Sequence, residues 1–519
     1  MKNPLKAPPR ICSIAIFAAF ALALAALSGA GSARAAALSV TTLNDSGAGS
    51  LRQVIADAAA GDTITFKVHG TITLTSGALM IGKSLAIQGP GSNHLKISGN
   101  HAGRVFVIVS PVPSSPPIVI ISRMTISHGL AVADAGTPPT IKAVFDSVGG
   151  GILNFGNLTL SDVDLSNNQA LGDANKMPLG QGRPGAAYGG GVANGGTLSI
   201  NSSLFIGNVA RGADDSNGPI AGLGGGGAMF NYGNAEVTGS WFTRNQAIGG
   251  NDCSSPILSG HGAGGAIISG GLNGVLSVKN SIFDHNQAIG GNGGQVTTTP
   301  VPIAVGPDKA SGGAIDVTGG SGTIDHSLFN HNQSIGGIGA PGGSGGVGAG
   351  GAIVATNLAN QGTNATIIDS RVEHNAALGG AGGVGGDGGE AEGGGLTSTS
   401  GAILTVISTT VAYNRAQGGE GDEGHNGGNG LGGGFYDYTA STLVLQGAIV
   451  IYNKALGGEA EEHGRDGHHT GDDEWGKPGD GSDGQGIGGG VYYLGTYSAD
   501  TATVIKKNKA STSNDNVWP

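Results

Sequence analysis

The chain has 519 residues, 104 of them glycine, with 12% charged and 5% aromatic residues and a formal charge of −11. Ordinary globular domains carry about 7% glycine and about 25% charge, so a conventional helical or doubly wound core is excluded. Collagen is excluded by the missing Gly-X-Y period and by only 20 prolines, and a 38% hydrophobic content argues against disorder. What remains is a long β-rich repeat protein with glycine-rich loops.

Residues 1–37 read as a secretory signal peptide. Lys2, Lys6 and Arg10 precede an uncharged apolar run from Ile11 to Leu27, and Ala33-Arg34-Ala35 supplies a small-residue cleavage pattern. The competing reading is a retained anchor, since the run is just long enough to span a bilayer. No later segment approaches that length. Cleavage removes four cations (Lys2, Lys6, Arg10 and Arg34) and takes the formal charge from −11 to −15. Such a chain has no electrostatic footprint for nucleic acid or an anionic membrane. Only Cys253 then remains, so no intrachain disulfide forms.

Residues 38–150 are expected to hold an N-terminal cap and irregular coils. Ser50 to Ala60 predicts a helix: Ser50 and Gln53 match a capping box, and Leu51, Val54, Ile55 and Ala58 share a face. A lone amphipathic helix ahead of stacked strands suits an end cap. Strands are expected at Thr63–Phe66, Thr71–Leu74, Leu85–Gln88, Leu95–Ser98, Val105–Val109 and Ile118–Ile121.

Residues 151–519 carry regular repeats. A glycine-rich triplet precedes each of Ile152, Val192, Met229, Ile267, Ile315, Ile353, Leu396, Phe435 and Val491. Each is followed by an apolar-x-x-Asn tetrad, ending at Asn168, Asn208, Asn245, Asn286, Asn332, Asn375, Asn414, Asn453 and Asn508. Three short strands fit in each copy, as at Ala266–Ser269, Gly274–Lys279 and Ile282–His285. Three strands cannot bury a face alone, but stacked on the next copy at about 4.8 Å they form a parallel β-solenoid. Phe205, Phe242, Phe283 and Phe329 are expected to stack inside, continued by Val372, Val411 and Val450. The asparagines are expected to form a structural ladder, bonding turn backbone and one another. No second helix caps the C-terminus, so either the last residues fold over the final coil or the open end meets another chain.

The GGAI segments at Gly264–Ile267, Gly312–Ile315 and Gly350–Ile353, with the tetrads FIGN (Phe205–Asn208), FTRN (Phe242–Asn245), FDHN (Phe283–Asn286) and FNHN (Phe329–Asn332), resemble polymorphic outer-membrane protein repeats of bacterial right-handed parallel β-helices. Ser50-Leu51-Arg52-Gln53-Val54-Ile55 resembles the Ser-Leu-Arg-Glu-Ala-Ile segment that opens many exported β-helix proteins. The resemblance implies an all-β, right-handed single-stranded parallel β-helix, and cell-surface or secreted adhesins that often carry a C-terminal outer-membrane barrel. Here no barrel strands follow residue 510, so release or attachment through a partner is expected.

Loops between each asparagine and the next glycine triplet leave one corner and should crowd one side of the rod, often the binding face of a repeat protein. Acids accumulate in them: Asp387, Glu390 and Glu392, then Glu420, Asp422 and Glu423, then nine between Gly457 and Gly488. In that last loop Glu459, Glu461, Asp466, Asp472 and Asp473 could hold calcium through oxygen ligands on flexible backbone. The alternative is a solvated loop, and no calcium-binding motif is present. His463, His468 and His469 suit a transition ion, although glycine-rich loops are expected to organise ligands poorly. Gly260-His261-Gly262 and Gly471-Asp472-Asp473 resemble fragments of pectin-hydrolysing β-helix enzymes. Their order is reversed and they lie some five coils apart, about 24 Å at 4.8 Å per coil, so they share no active site.

A stripe precedes the asparagine ladder: His285, His331, His374, Tyr413 and Tyr452, flanked by Asp284, Asn330 and Glu373 and by Lys279, Asp325 and Asp369. Facing outward, it suits an extended polysaccharide, with sugars stacked on rings, or a lyase site in which calcium neutralises a uronate and a base removes a proton. It equally suits plain surface residues that stack along a solenoid. The expectation is a non-enzymatic exported rod for adhesion, matrix or glycan contact, with end-to-end self-association open to it. A polysaccharide lyase or glycoside hydrolase on the same scaffold is the alternative.

Overall fold

The structure is a computed structural model that describes residues 36–519 apart from 110–114, 133–146, 176–183, 219, 256–257, 272–273, 297–308, 358–361 and 462–480. Residues 1–35 of the expected signal peptide lie outside the described residues. Short strands find partners one coil along the chain. Leu276 and Val278 pair in parallel with Gly322 and Ile324, and Ile267 with Ile315. Repetition of this step gives parallel sheets of 23, 12, 10 and 8 strands. The fold is an all-β parallel β-helix.

Each regular coil has more strands than the sequence predicts. The coil around Phe283 holds Gly262–Ala263, Ile267–Gly270, Val275–Lys279, Ile282–Asp284 and Gln287–Ile289. The two additional strands have two and three residues, too short to show a period of two. Inside the coils the phenylalanines stack at 4.6, 4.8 and 4.8 Å between centroids, and Val372, Val411 and Val450 continue the column, all fully buried.

The asparagine ladder forms as expected. Asn286 Oδ1 accepts from Asn245 N at 3.1 Å and Nδ2 at 2.9 Å, while Asn286 Nδ2 donates to Phe242 O at 2.8 Å and Asn332 Oδ1 at 2.9 Å. Both the turn and the neighbouring amide are thereby satisfied. Two further ladders appear. Ser240 N donates to Ser281 Oγ at 3.2 Å and Ser281 N to Ser327 Oγ at 3.1 Å. Asn154 and Asn194 each donate to the next asparagine, Asn194 and Asn231, at 2.8 Å.

The N-terminal helix spans Leu51–Asp57, with Ser50 Oγ accepting from Gln53 N. The capping box is only half made, because Gln53 Nε2 turns to Asp57 Oδ1 at 2.7 Å. Ala58 is already extended, which ends the helix before Ala60. Leu51, Val54, Ile55 and Ala58 join the apolar cluster of Ile64 and Ile72, as an end cap requires. Arg52 clamps the turn, reaching Asp45 Oδ1 at 2.7 Å, Gly77 O at 2.7 Å and Ala78 O at 2.9 Å. At the other end the last residues fold over the final coil: Val517–Trp518 pairs with Val491–Tyr492, and Trp518 stacks on Tyr492 at 4.3 Å.

Backbone hydrogen bonds order the described parts of the glycine-rich loops. Gly380 N donates to Gly346 O, Gly389 N to Gly380 O, Gly419 N to Gly389 O, Gly428 N to Gly419 O and Gly458 N to Gly428 O, at 2.8–2.9 Å. The two legs of the loops at 379–389 and 418–428 are thus zipped together and onto neighbouring coils. A Cβ on Gly419 would lie 1.9 Å from Gly380 O, and one on Gly458 1.9 Å from Gly419 O. Glycine is needed here for the close approach of backbones.

Candidate functional site

The residue before each ladder asparagine occupies a left-handed bend, with φ of 54° at His285, 53° at His331, 56° at His374 and 58° at Tyr413 and Tyr452. Bulky residues seldom adopt this region, and the ladder on the following residue holds them in it. The bend brings the five rings into one exposed column, stacked at 4.9, 5.3, 5.0 and 5.0 Å between centroids and within 17° of parallel. Ring faces are therefore turned to one another. A sugar approaching from solvent meets ring nitrogens and hydroxyls at the edges, so stacking on the faces, as the sequence reading had it, is not available along the column.

The flanking polar residues are partly paired. Asp284 Oδ2 sits 2.8 Å from His285 Nδ1, and Asn330 Nδ2 donates to Asp284 Oδ1 at 3.2 Å. Arg371 Nη2 reaches Glu373 Oε2 at 2.8 Å, and Lys507 Nζ donates to Tyr452 Oη at 3.0 Å. Lys279 pairs in register with Asp325, but Asp325 pairs with Ile368. Asp369 instead lies at the corner with His326, both in left-handed bends. Partial burial lowers the His331 pKa, helped by His285 and His374. A hydrogen bond donated to the Asp325 carboxylate raises that of His326.

On the loop side, Glu459 and Glu461 are exposed, whereas Asp466, Asp472 and Asp473 lie outside the described residues. The acids of the preceding loops are organised rather than merely solvated. Asp387 Oδ1 accepts from Asn426 N at 2.9 Å, Asn426 Oδ1 from Ser482 N at 2.9 Å, and Asn429 Oδ1 from Gln485 N at 2.9 Å. These rows border an open polar groove of about 650 Å³ floored by Gly388, Gly427 and Gly428.

A third group was missed by sequence reasoning. Between the loops and the outer face of the sheet containing Ile315 lie Lys309, Asp316, Glu392 and Tyr436, all buried; Asp437, also buried, is on the opposite face, in register with Val317, Ala355 and Ser398. Glu392, expected in a solvated loop, is in a strand with Lys309 Nζ 3.9 Å away. Burial pushes its carboxyl up to about 7; Lys309 and a Tyr436 hydrogen bond oppose this and Glu390 adds to it. Burial also pushes Asp437 up to about 6 against the Ser398 hydroxyl that donates to it. The available signal was a charge at a strand position that is apolar elsewhere: Asp316 pairs with Ile268 and Val354. His261, from the enzyme-like fragment, has Nε2 2.8 Å from Ser311 Oγ, which in turn bonds Asp316. It belongs to this buried network.

No family model matches the chain, and no curated protein matches it. Solved structures similar to it include a mannuronic acid specific polysaccharide family 6 lyase from human gut microbiota, at 9% identity and a TM-score of 0.26, covering 82% of each chain. The periplasmic alginate epimerase AlgG follows at 11% identity and a TM-score of 0.22, covering 84% of each chain. Bacteriophage CBA120 tailspike protein 3 is 14% identical with a TM-score of 0.23, over 77% of this chain and 54% of that one. At these scores the likeness carries no argument about activity, and the assignment as a parallel β-helix rests on the strand registers above.

Proposed function

We propose that the protein is an exported rod that contacts an extended polysaccharide or surface glycan through its outward stripe without cleaving it. The observation that carries this reading is the column of ring edges at His285, His331, His374, Tyr413 and Tyr452, repeated at 4.9–5.3 Å. An in-register row of donors and acceptors matches a polymer that offers equivalent hydroxyls at each sugar. Secretion is supported by the composition of residues 1–37, and among the described residues no helix is long and apolar enough to cross a membrane. Against catalysis stands the placement of the groups with strongly displaced acidity: Glu392 and Asp437 are 3% and 0% exposed, out of reach of a polymer.

The test is incubation of the mature protein with uronate and neutral polysaccharides, with and without calcium, followed by co-sedimentation, chain-length analysis and ultraviolet absorbance of unsaturated ends. Binding of an intact polymer, weakened by Tyr413→Asn and Tyr452→Asn together, is the expected result. Shortening of any polymer would replace this reading with a lyase or hydrolase. Absence of binding across the panel would remove the glycan from it.

A further inference from the structure

We propose that Asp284, His285 and His331 form a site for a divalent transition-metal ion, zinc in the first instance, on the exposed corner of the rod. This proposal shares His285 and His331 with the glycan reading but does not rest on it. The three side chains come from two successive coils, and one donor atom from each lies within 4.8 Å of the others. His285 Nδ1 is 2.8 Å from Asp284 Oδ2, and His331 Nδ1 is 3.9 Å from Asp284 Oδ1. Tetrahedral zinc with bonds of about 2.0–2.1 Å separates its ligands by roughly 3.3 Å, so small side-chain rotations close the set.

The scaffold favours this arrangement. Both histidines sit in left-handed bends at equivalent positions, their rings 4.9 Å apart and 17° from parallel. Asn330 Nδ2 holds Asp284 Oδ1 from outside the set at 3.2 Å, the kind of secondary contact that orients a ligand carboxylate. Two imidazoles and one carboxylate suit zinc or a neighbouring divalent ion better than calcium, which prefers oxygen. Side-chain exposures of 34%, 56% and 48% for Asp284, His285 and His331 leave the remaining coordination positions open to solvent. The other cluster of this kind among the described residues, Asp325, His326 and Asp369, has one imidazole and two carboxylates and is the harder set.

The experiment is calorimetric titration of Zn²⁺ into tag-free mature protein near neutral pH, with the visible spectrum of Co²⁺ as a second readout. Asparagine tolerates left-handed bends, so His285→Asn and His331→Asn remove ligands without straining the corner; thermal melts confirm folding. The expected result is one tight ion per chain, lost in the His285→Asn/His331→Asn double variant and in Asp284→Ala, and retained in His374→Asn. Either no stoichiometric binding by the unaltered protein, or a step of unchanged affinity in the double variant, overturns the proposal. The second result would place the ion elsewhere, with the histidines of the last acidic loop the next to replace.

Discussion

The space inside the coils and the space between the same sheet and the glycine-rich loops are lined by alternate residues of the same strands. Ile315 and Val317 point into the first, Asp316 into the second. The inner space is apolar along the rod apart from its hydrogen-bonded corner ladders. The outer space changes character: Leu153, Ala193, Phe230 and Ile268 fill it early, whereas Lys309, Asp316, Glu392 and Tyr436 occupy it later. Inside the ring of strands Asp437 stands in register with Ser398, Ala355 and Val317, and the Ser398 hydroxyl donates to it. In the outer space Ser311, from the short strand Ala310–Ser311, and Thr318, from Asp316's own strand, supply hydroxyls to Asp316. A hydroxyl within reach on a neighbouring strand position, rather than the face of the sheet, decides what charge the fold tolerates.

The sharpest way to break this comparison is to move the charge one residue. Ile315→Asp, set between Ile267 and Ile353, should prevent folding or cost more than about 4 kcal/mol, the penalty of an uncompensated buried charge. Asp316→Asn, one position away, should be tolerated; circular dichroism and denaturant titration of both decide. A smaller effect is expected from the inner corner. Asn286→Ala removes the partner of Asn245 and of Phe242 O and should cost about 3 kcal/mol by the same titration.

Next comes Glu392, whose native pKa is raised to about 7 from an ordinary 4.5. A raised carboxyl stabilises the native state fully below about 4.5, and that contribution is lost as pH climbs through about 7. Glu392→Gln should therefore match the unaltered protein near pH 4.5 and exceed it in stability above pH 7, by about 3 kcal/mol. A difference that does not change with pH would refute this. The smallest effect is at the N-terminal clamp. Burial tends to raise the Asp45 pKa, but hydrogen bonds from Arg52, Thr75 and Ser76 bring it down to about 2. Its contribution is present above about 3.8 and lost as pH falls through about 2. Arg52→Ala should cost about 1 kcal/mol at neutral pH, after allowance for solvent screening, and less as acid is added.

Repetition explains what could be read in advance. Phe283 and Asn286 each recur at an equivalent place in their neighbours, so every copy restates the same contact and the column follows from spacing alone. The Ser281 and Asn194 ladders recur too, but serine and asparagine are common in turns and their partners lie one coil away, some 40 residues in sequence. The strand Gln287–Ile289 is too short for periodicity to register. Among the site residues, the stripe from His285 to Tyr452 was legible as a row. Which way its rings face was not, because the left-handed bend sets that. Glu392 was misplaced because nothing local distinguishes an acid in a loop from one under it.

By itself the sequence determined the solenoid, its phase, its inner columns and its N-terminal cap. Those depend on side chains recurring at a fixed interval, and hydrophobic burial with backbone pairing admits one register for them. The tertiary structure alone decided that the glycine loops are zipped, that the aromatic stripe shows edges rather than faces, and which acids are buried. Each of these depends on where a neighbouring coil places its backbone, and a single copy of the repeat does not contain that distance.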